Sequence, residues 1–114
     1  MNTLPDVKGI AKQYINLSNA VDYNSMADLF AEEAEWIPIS PIEPRTGREA
    51  IRAGYLAHVK SKNRLIINAR YYADGLTCVV EFEVQLEAGE IASIVDIFTF
   101  NERGEISRLA IYKR

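Results

Sequence analysis

A carboxyl group stands among large apolar side chains in residues 94–100, which read IVDIFTF. This composition predicts a β-strand, and alternation then puts Asp96 on one face with Ile94, Phe98 and Phe100. Because burying an ionised carboxylate costs several kcal/mol, Asp96 must be paired, hydrogen-bonded or protonated. A protonated carboxyl could donate a hydrogen bond to a ligand oxygen. The structural alternative is a carboxylate bonded to backbone N–H groups or to water.

Two tyrosines are predicted on the inner faces of helices. The apolar positions of residues 7–21 follow the i, i+3, i+4 spacing of a helix, and Tyr14 lies in the middle of that stripe. Tyr55 occupies the inner face of a later helix. A buried phenol needs a partner for its hydroxyl. The two hydroxyls and the Asp96 carboxyl could satisfy one another and present O–H donors to a ligand, or each tyrosine could bond a backbone carbonyl in the core.

The last hairpin decides whether Asp96 has an ionic partner. With residues 101–104 as the loop, Asp96 pairs with Leu109. Leu109 and Ile111 then share the face of Asp96, whereas Arg108 points to the other side of the sheet. The sequence therefore predicts no ion pair for Asp96.

Other side chains could form the wall of a ligand cavity. Trp36 belongs to a short predicted strand, where it is either a core residue or a cavity wall. His58 follows Tyr55 by three residues and could reach the same face, although a histidine near a helix C-terminus commonly compensates the helix dipole at the surface. The ligand-contacting residues predicted in this way are Tyr55, Trp36, Phe82, Phe98, Leu109, Ile111 and His58.

The first half of the chain is predicted to be largely helical. One helix covers residues 5–21, and a short second helix places Phe30 on its inner face. Thr46 and Glu49 have the spacing of a capping box, with Thr46 as the N-cap. They open a third helix that runs to about residue 60.

The second half is predicted to be β-structure. Alternating apolar side chains indicate strands at 64–72, 76–86, 91–100 and 105–112, after an earlier short strand at 35–39. Helices followed by a meander indicate a single α+β domain over residues 1–114, with three N-terminal helices packed on a curved antiparallel sheet. A curved sheet with helices across its mouth forms a cone with an internal pocket.

Charge and composition exclude several classes of partner. The 114 residues carry a net charge of −3 and no strongly basic stretch, so neither nucleic acid nor an anionic membrane is an expected partner. No apolar run approaches the ~20 residues of a membrane span, and the polar N-terminus lacks a signal-peptide pattern, so a cytoplasmic location is expected. One histidine and one cysteine, Cys78 on a core face, argue against a metal site. No cofactor is predicted.

Six features of the sequence match a known pattern: Tyr14, Leu29-Phe30-Ala31, Glu43-Pro44-Arg45-Thr46-Gly47, Ala50-Ile51-Arg52, Tyr55 and DIFTFN at 96–101. With them the chain resembles the Δ5-3-ketosteroid isomerases and, more broadly, the SnoaL-like branch of the nuclear-transport-factor-2-like superfamily. The resemblance implies a cone-shaped fold and a homodimer joined through the outer sheet face. It also implies an oxyanion hole, in which Tyr14 and a protonated Asp96 donate hydrogen bonds to a carbonyl oxygen and Tyr55 supports Tyr14.

The sequence departs from the isomerase pattern at one position. The isomerase base is an Asp at the end of the short strand, and the matching residue here is Pro38, which cannot take a proton. Glu35 alternates outward and is a poor substitute. Since general base catalysis contributes roughly 10²–10⁴-fold, its absence would reduce isomerase activity by at least that factor.

Three kinds of function follow. As an enzyme, the chain would polarise a carbonyl with Tyr14 and Asp96 while water, His58 or Asp96 itself moves the proton, as in an isomerase, cyclase or lyase. As a binding protein, it would hold a small apolar carbonyl- or phenol-type ligand, steroid- or polyketide-like, without turnover. The third alternative is a dimeric accessory protein whose cavity Trp36 fills.

Overall fold

The computed structural model describes residues 3–57 and 64–114, and all structural statements concern those residues. The helices are α1 (Val7–Asn19), α2 (Tyr23–Asp28) and α3 (Arg48–Ala57). The strands are β1 (Phe30–Ile37), β2 (Arg45–Thr46), β3 (Leu65–Asp74), β4 (Thr77–Gln85), β5 (Ile91–Phe100) and β6 (Ile106–Lys113). The carboxylates of Asp6 and Asp22 accept hydrogen bonds from first-turn N–H groups and fix the starts of α1 and α2.

The six strands form one curved, unclosed sheet in the order β2-β1-β6-β5-β4-β3, with the three helices packed on it. The predicted α+β cone is confirmed. The prediction of a wholly antiparallel sheet needs one correction, because β1 runs parallel to β6 while the other neighbours are antiparallel. The first strand of the chain therefore lies beside the last.

A bulge in the last hairpin corrects the predicted register. Asp96 lies opposite Ile111 rather than Leu109, and Leu109 lies opposite Phe98. One residue of the shift arises in the turn, because Phe100 pairs with Ile106 and not with residue 105, and the second arises at Ser107, an extra residue between the pairs Phe100–Ile106 and Thr99–Arg108. Because the displacement at Asp96 is two residues, Leu109 and Ile111 keep their predicted face, whereas Ile106 lies opposite Phe100 and is fully buried.

Two element boundaries differ from the prediction. Phe30 is the first residue of β1, not the inner face of α2, and β1 begins five residues before the predicted start at 35. Thr46 pairs with Glu35 in β2 and does not cap α3. The residue before α3 is Gly47, whose φ of +98° suits glycine and whose N–H donates to the Ala34 carbonyl. The predicted capping box is therefore wrong.

The core lies between the concave face of the sheet and the helices. Its largest fully buried side chains are Phe30, Phe98, Met26, Ile51, Ile106, Leu109, Val80 and Cys78. Arg52 joins α2 to α3: its guanidinium donates to the Asp28 carboxylate at 2.7 Å and to the Asn24 carbonyl at 2.9 Å. This contact fixes α3, which carries Tyr55, against α2.

Candidate functional site

A cavity of about 370 Å³ lies inside the cone. This volume falls in the range of roughly 300–1,000 Å³ that small-molecule sites occupy. Six of the site residues predicted from the sequence line this cavity: Tyr14, Tyr55, Asp96, Trp36, Phe82 and Ile111. Two further predictions, Phe98 and Leu109, are fully buried behind that wall and do not line the cavity. His58, like Val59, lies outside the described residues.

Tyr14 of α1 and Tyr55 of α3 meet at the inner end of the cavity. Their hydroxyl oxygens are 2.5 Å apart and form a hydrogen bond in which either can donate. The Tyr14 ring packs edge-on against Phe98 at 5.1 Å between centroids, and Tyr23 stacks on Tyr55 at 5.9 Å. Burial raises the pKa of Tyr14 and of Tyr55 well above that of a free phenol. Both groups are therefore neutral O–H donors at ordinary pH.

Asp96 reaches the same region from β5 and is only 3% exposed. Among the described residues, its Oδ1 atom is buried without a hydrogen-bond partner. Burial raises the pKa of Asp96 to about 8, and the positive charge of Arg64 limits that rise. The carboxyl is thus protonated at neutral pH. Of the three groups expected to satisfy one another, only the two tyrosines form a hydrogen bond together. The Asp96 carboxyl can therefore still form a hydrogen bond with another group.

Trp36 and Pro38 form one side of the cavity on the chain segment that begins with β1. The Trp36 ring packs edge-on against Tyr55 at 5.3 Å, so it is both a core residue and a cavity wall. Its indole N–H has no hydrogen-bond partner in residues 3–57 and 64–114. Pro38 is buried at the wall, whereas Glu35 is exposed. At Pro38, the position that the resemblance matches to the isomerase base, the cavity wall therefore carries no ionisable group.

Several lining residues were not predicted. Ser18 and Tyr23 join the inner end, and two cations, Arg64 and Lys113, line the cavity elsewhere. Lys113 had a signal in the sequence, because it lies two residues after Ile111 on the same face of β6. Arg64 had no such signal in the sequence. It stands just before β3, where the alternation of the strand does not determine which way a side chain points.

The described residues contain no group of three or more histidine, cysteine or acidic side chains arranged to hold a metal ion. Likewise, no helix among them combines the length and the apolar character needed to cross a membrane.

The sequence pattern of the SnoaL-like domain matches residues 11–109, which is most of the chain. The chain belongs to the SnoaL-like family. Solved structures agree on the fold of this SnoaL-like chain. SalBIII, an epoxide hydrolase/cyclase-like enzyme with a role in pyran ring formation in the polyether salinomycin, is 22% identical with a TM-score of 0.78 over 95% of this chain and 90% of its own.

Two further structures resemble the SnoaL-like chain to a similar degree. A candidate polyketide cyclase from Xanthomonas campestris pv. campestris is 17% identical, with a TM-score of 0.81 over 95% of this chain and 90% of its own. A protein from Sphaerobacter thermophilus is 25% identical, with a TM-score of 0.76 over 92% of this chain and 93% of its own. These likenesses establish the cone fold of the SnoaL-like chain.

Proposed function

We propose that the cone binds a small apolar ligand through a carbonyl or phenol oxygen, which accepts hydrogen bonds from the Tyr14 hydroxyl and the protonated Asp96 carboxyl. A steroid- or polyketide-like compound has the required character. The remainder of the ligand contacts apolar walls that include Trp36, Phe82 and Ile111. Chemistry of the isomerase or cyclase type is part of the proposal.

The observation that carries this proposal is the state of Asp96. A buried carboxyl without a partner loses the hydrogen bonds it would make in water, which is unfavourable by about 1–3 kcal/mol. That loss is recovered when a ligand oxygen accepts its proton. The Tyr14–Tyr55 pair adds a second donor, because Tyr55 can donate to Tyr14 and leave the Tyr14 proton for the ligand. Two neutral donors in an apolar cavity are suited to stabilising negative charge on an oxygen.

Catalysis would require a proton to move as well. The pKa of Asp96, about 8, lies near the working pH at which a general acid or base is most effective. Asp96 could therefore protonate an oxygen during ring closure or enolisation. The cyclase descriptions of SalBIII and the Xanthomonas protein belong to those proteins. This chain shares their fold, and a cyclase or isomerase reaction is proposed for it on the basis of its own residues.

Binding without turnover is the second candidate, and Pro38 favours it. A proline stands at the cavity wall where the related isomerases place their base, so the site can hold an enolate-like oxygen without readily forming an enolate. In that case the chain is a ligand-binding or accessory protein of the same fold.

A fluorescence titration with the phenol equilenin tests the binding site. Loss of one hydrogen bond to a charged or strongly polarised oxygen costs about 1.5–3 kcal/mol. The expected result is a Kd roughly 10- to 100-fold higher in Tyr14→Phe and in Asp96→Leu, which removes the donor that Asn would retain, than in the wild type. Tyr112→Phe and Asp74→Leu change the same groups at exposed positions and serve as controls. An equal Kd in all five proteins would refute the oxyanion pair.

We also propose a homodimer formed through the outer sheet face. That face carries Val79, Val95 and Ile97, and Tyr112 stands there 51% exposed. Aromatic and aliphatic side chains on one open sheet face are typical of a protein interface. Sedimentation equilibrium should give twice the 12.9 kDa chain mass, and Ile97→Asp should give the single chain mass. A single-chain mass for the wild type at micromolar concentration would contradict the dimer.

A further inference from the structure

The cavity has two chemically different ends. Tyr14, Tyr55 and Asp96 supply neutral hydrogen-bond donors at one end, and Arg64 and Lys113 supply positive charge at the other. Because burial keeps Asp96 protonated and the tyrosines neutral, the two cations are the ionised side chains among the described lining residues at neutral pH. The walls between the ends are largely apolar.

Strand registers define the separation. Asp96 lies opposite Ile111, and the next inward-facing pair on the same ladder is Ile94 with Lys113. Two residues along a strand span about 7 Å, so the Lys113 backbone lies about that far from the Asp96 row. Arg64 stands two residues before Ile66 on the neighbouring edge, beyond the inward row that Ile66 forms with Val84. Lys113 therefore lies level with Ile94, one inward row from Asp96, and Arg64 lies further from Asp96 in the same direction along the strands.

The protein supplies no anion to these cations in the described part of the chain. Its ion pairs there join Arg52 to Asp28 and Glu49, and Arg103 to Glu105. The charge of Arg64 nevertheless acts into the cavity, because it lowers the pKa of Asp96 against the effect of burial. Two cations facing one apolar cavity attract an anion, and a guanidinium fits a carboxylate with two parallel hydrogen bonds.

We infer that the ligand is an apolar acid: its carbonyl or phenol oxygen lies between Tyr14 and Asp96, and a carboxylate at its opposite end binds Arg64 and Lys113. This inference rests on the proposed function, since it assumes the same cavity and the same oxygen site. It narrows the ligand class from neutral steroid-like compounds to keto or hydroxy acids with an apolar body between the two polar ends.

Two fluorescent naphthols provide the test. 2-Naphthol presents only a phenol, whereas 6-hydroxy-2-naphthoate adds a carboxylate at the far end of the same ring system. The expected result is a Kd at least 10-fold lower for the naphthoate in the wild type. This preference should fall to within twofold in the double variant Arg64→Gln/Lys113→Gln.

A second double variant, Arg70→Gln/Arg103→Gln, removes the same net charge from exposed positions outside the cavity and should keep the preference. Equal affinity of the wild type for both naphthols, or a preference that survives in Arg64→Gln/Lys113→Gln, overturns the inference. If the inference fails in this way but 2-naphthol binding still depends on Tyr14 and Asp96, the proposed function stands without the carboxylate site. If neither naphthol binds, or if binding ignores Tyr14 and Asp96, both proposals fail together.

Discussion

Asp96 lies directly opposite Ile111 across the β5–β6 ladder, so the nearest cross-strand side chain to its carboxyl is apolar. Arg108 belongs to the same strand as Ile111 but is the partner of Thr99 on the other face. With burial unopposed by an ion pair, the carboxyl retains its proton to a pH of about 8. The register of one hairpin thus determines that this acid is a hydrogen-bond donor rather than an anion.

The stability of the fold should therefore decline with rising pH because of Asp96. The pKa of this carboxyl rises from 3.8 to about 8 on folding, so between those values the unfolded state binds fewer protons than the folded state. Stability from this group is complete below pH 4 and is lost as the pH approaches 8. Relative to Asp96→Asn, the free energy of unfolding should fall by up to about 1.4 kcal/mol per pH unit.

Urea unfolding at pH 5, 6 and 7 measures this slope, with Asp74→Asn as the exposed control. The control should follow the wild type at every pH. Parallel curves for the wild type and Asp96→Asn would mean that Asp96 is already ionised in the folded protein, and the donor role would be lost with it.

The sequence predicted the β-structure well because burial alternates cleanly there. β5 begins and ends where the apolar alternation of residues 91–100 does. The boundaries it missed depend on tertiary contacts. Phe30 joins β1 because β6 offers it a parallel partner, Ile106. Thr46 is drawn into β2 by pairing with Glu35, which leaves Gly47 to begin α3.

The inner end of the site was predictable for the same reason. Tyr14, Tyr55 and Asp96 are polar groups on apolar faces, and such exceptions are visible in a sequence. Arg64 is an exposed residue at a strand start, and its direction depends on how the sheet curls around the helices. The place of the Arg64 charge could therefore be found only in three dimensions, whereas that of Lys113 follows from the alternation of β6.

The Tyr14–Tyr55 bond should appear as an energetic coupling. Tyr55→Phe leaves the buried Tyr14 hydroxyl without its partner, and Tyr14→Phe does the same to Tyr55, so each change should destabilise the fold by about 1–3 kcal/mol. The double variant removes both groups and should lose less than the sum. Equilibrium urea unfolding of the four proteins gives the coupling energy. Strict additivity would show that the two hydroxyls do not depend on each other.

Gly54 controls the position of Trp36. A Cβ at Gly54 would lie 3.1 Å from the Trp36 ring and 3.0 Å from the Arg45 side chain, which is closer than ordinary contact. Gly54→Ala should therefore move the indole, despite the gain in helix propensity of about 1 kcal/mol. Since the chain has one tryptophan, its fluorescence reports the movement directly. We expect a shifted emission maximum and weaker equilenin binding.

Ala53→Gly at the neighbouring exposed position changes propensity alone. It should lower stability by about 1 kcal/mol and leave the emission maximum unchanged. If Gly54→Ala left both emission and binding at wild-type values, Trp36 would have room to accept the methyl group and would not define the cavity.

Pro38 is the position at which the proposed chemistry can be changed most directly. Pro38→Asp places a carboxylate at the cavity wall, where the isomerase pattern has its base. We expect turnover of a 5-en-3-one steroid to rise at least about 10²-fold over the wild type, the lower limit of general base catalysis. Ile42→Asp adds the same group at another lining residue, 39% exposed, and should give no increase. An added carboxylate removes a proton only if it lies within hydrogen-bond reach of the carbon. Comparison of these two variants therefore shows whether the position of the carboxylate or only its charge raises turnover.

The wild-type rate in the same assay decides between the two candidate functions for such substrates. A wild type that binds equilenin but turns the steroid over only after Pro38→Asp is a binding site that lacks its base. Fast turnover by the wild type would mean that another group, with Asp96 the first to test through Asp96→Asn, moves the proton. A Pro38→Asp protein that folds and binds equilenin yet gains no activity would show that the bound steroid presents a different carbon to this wall.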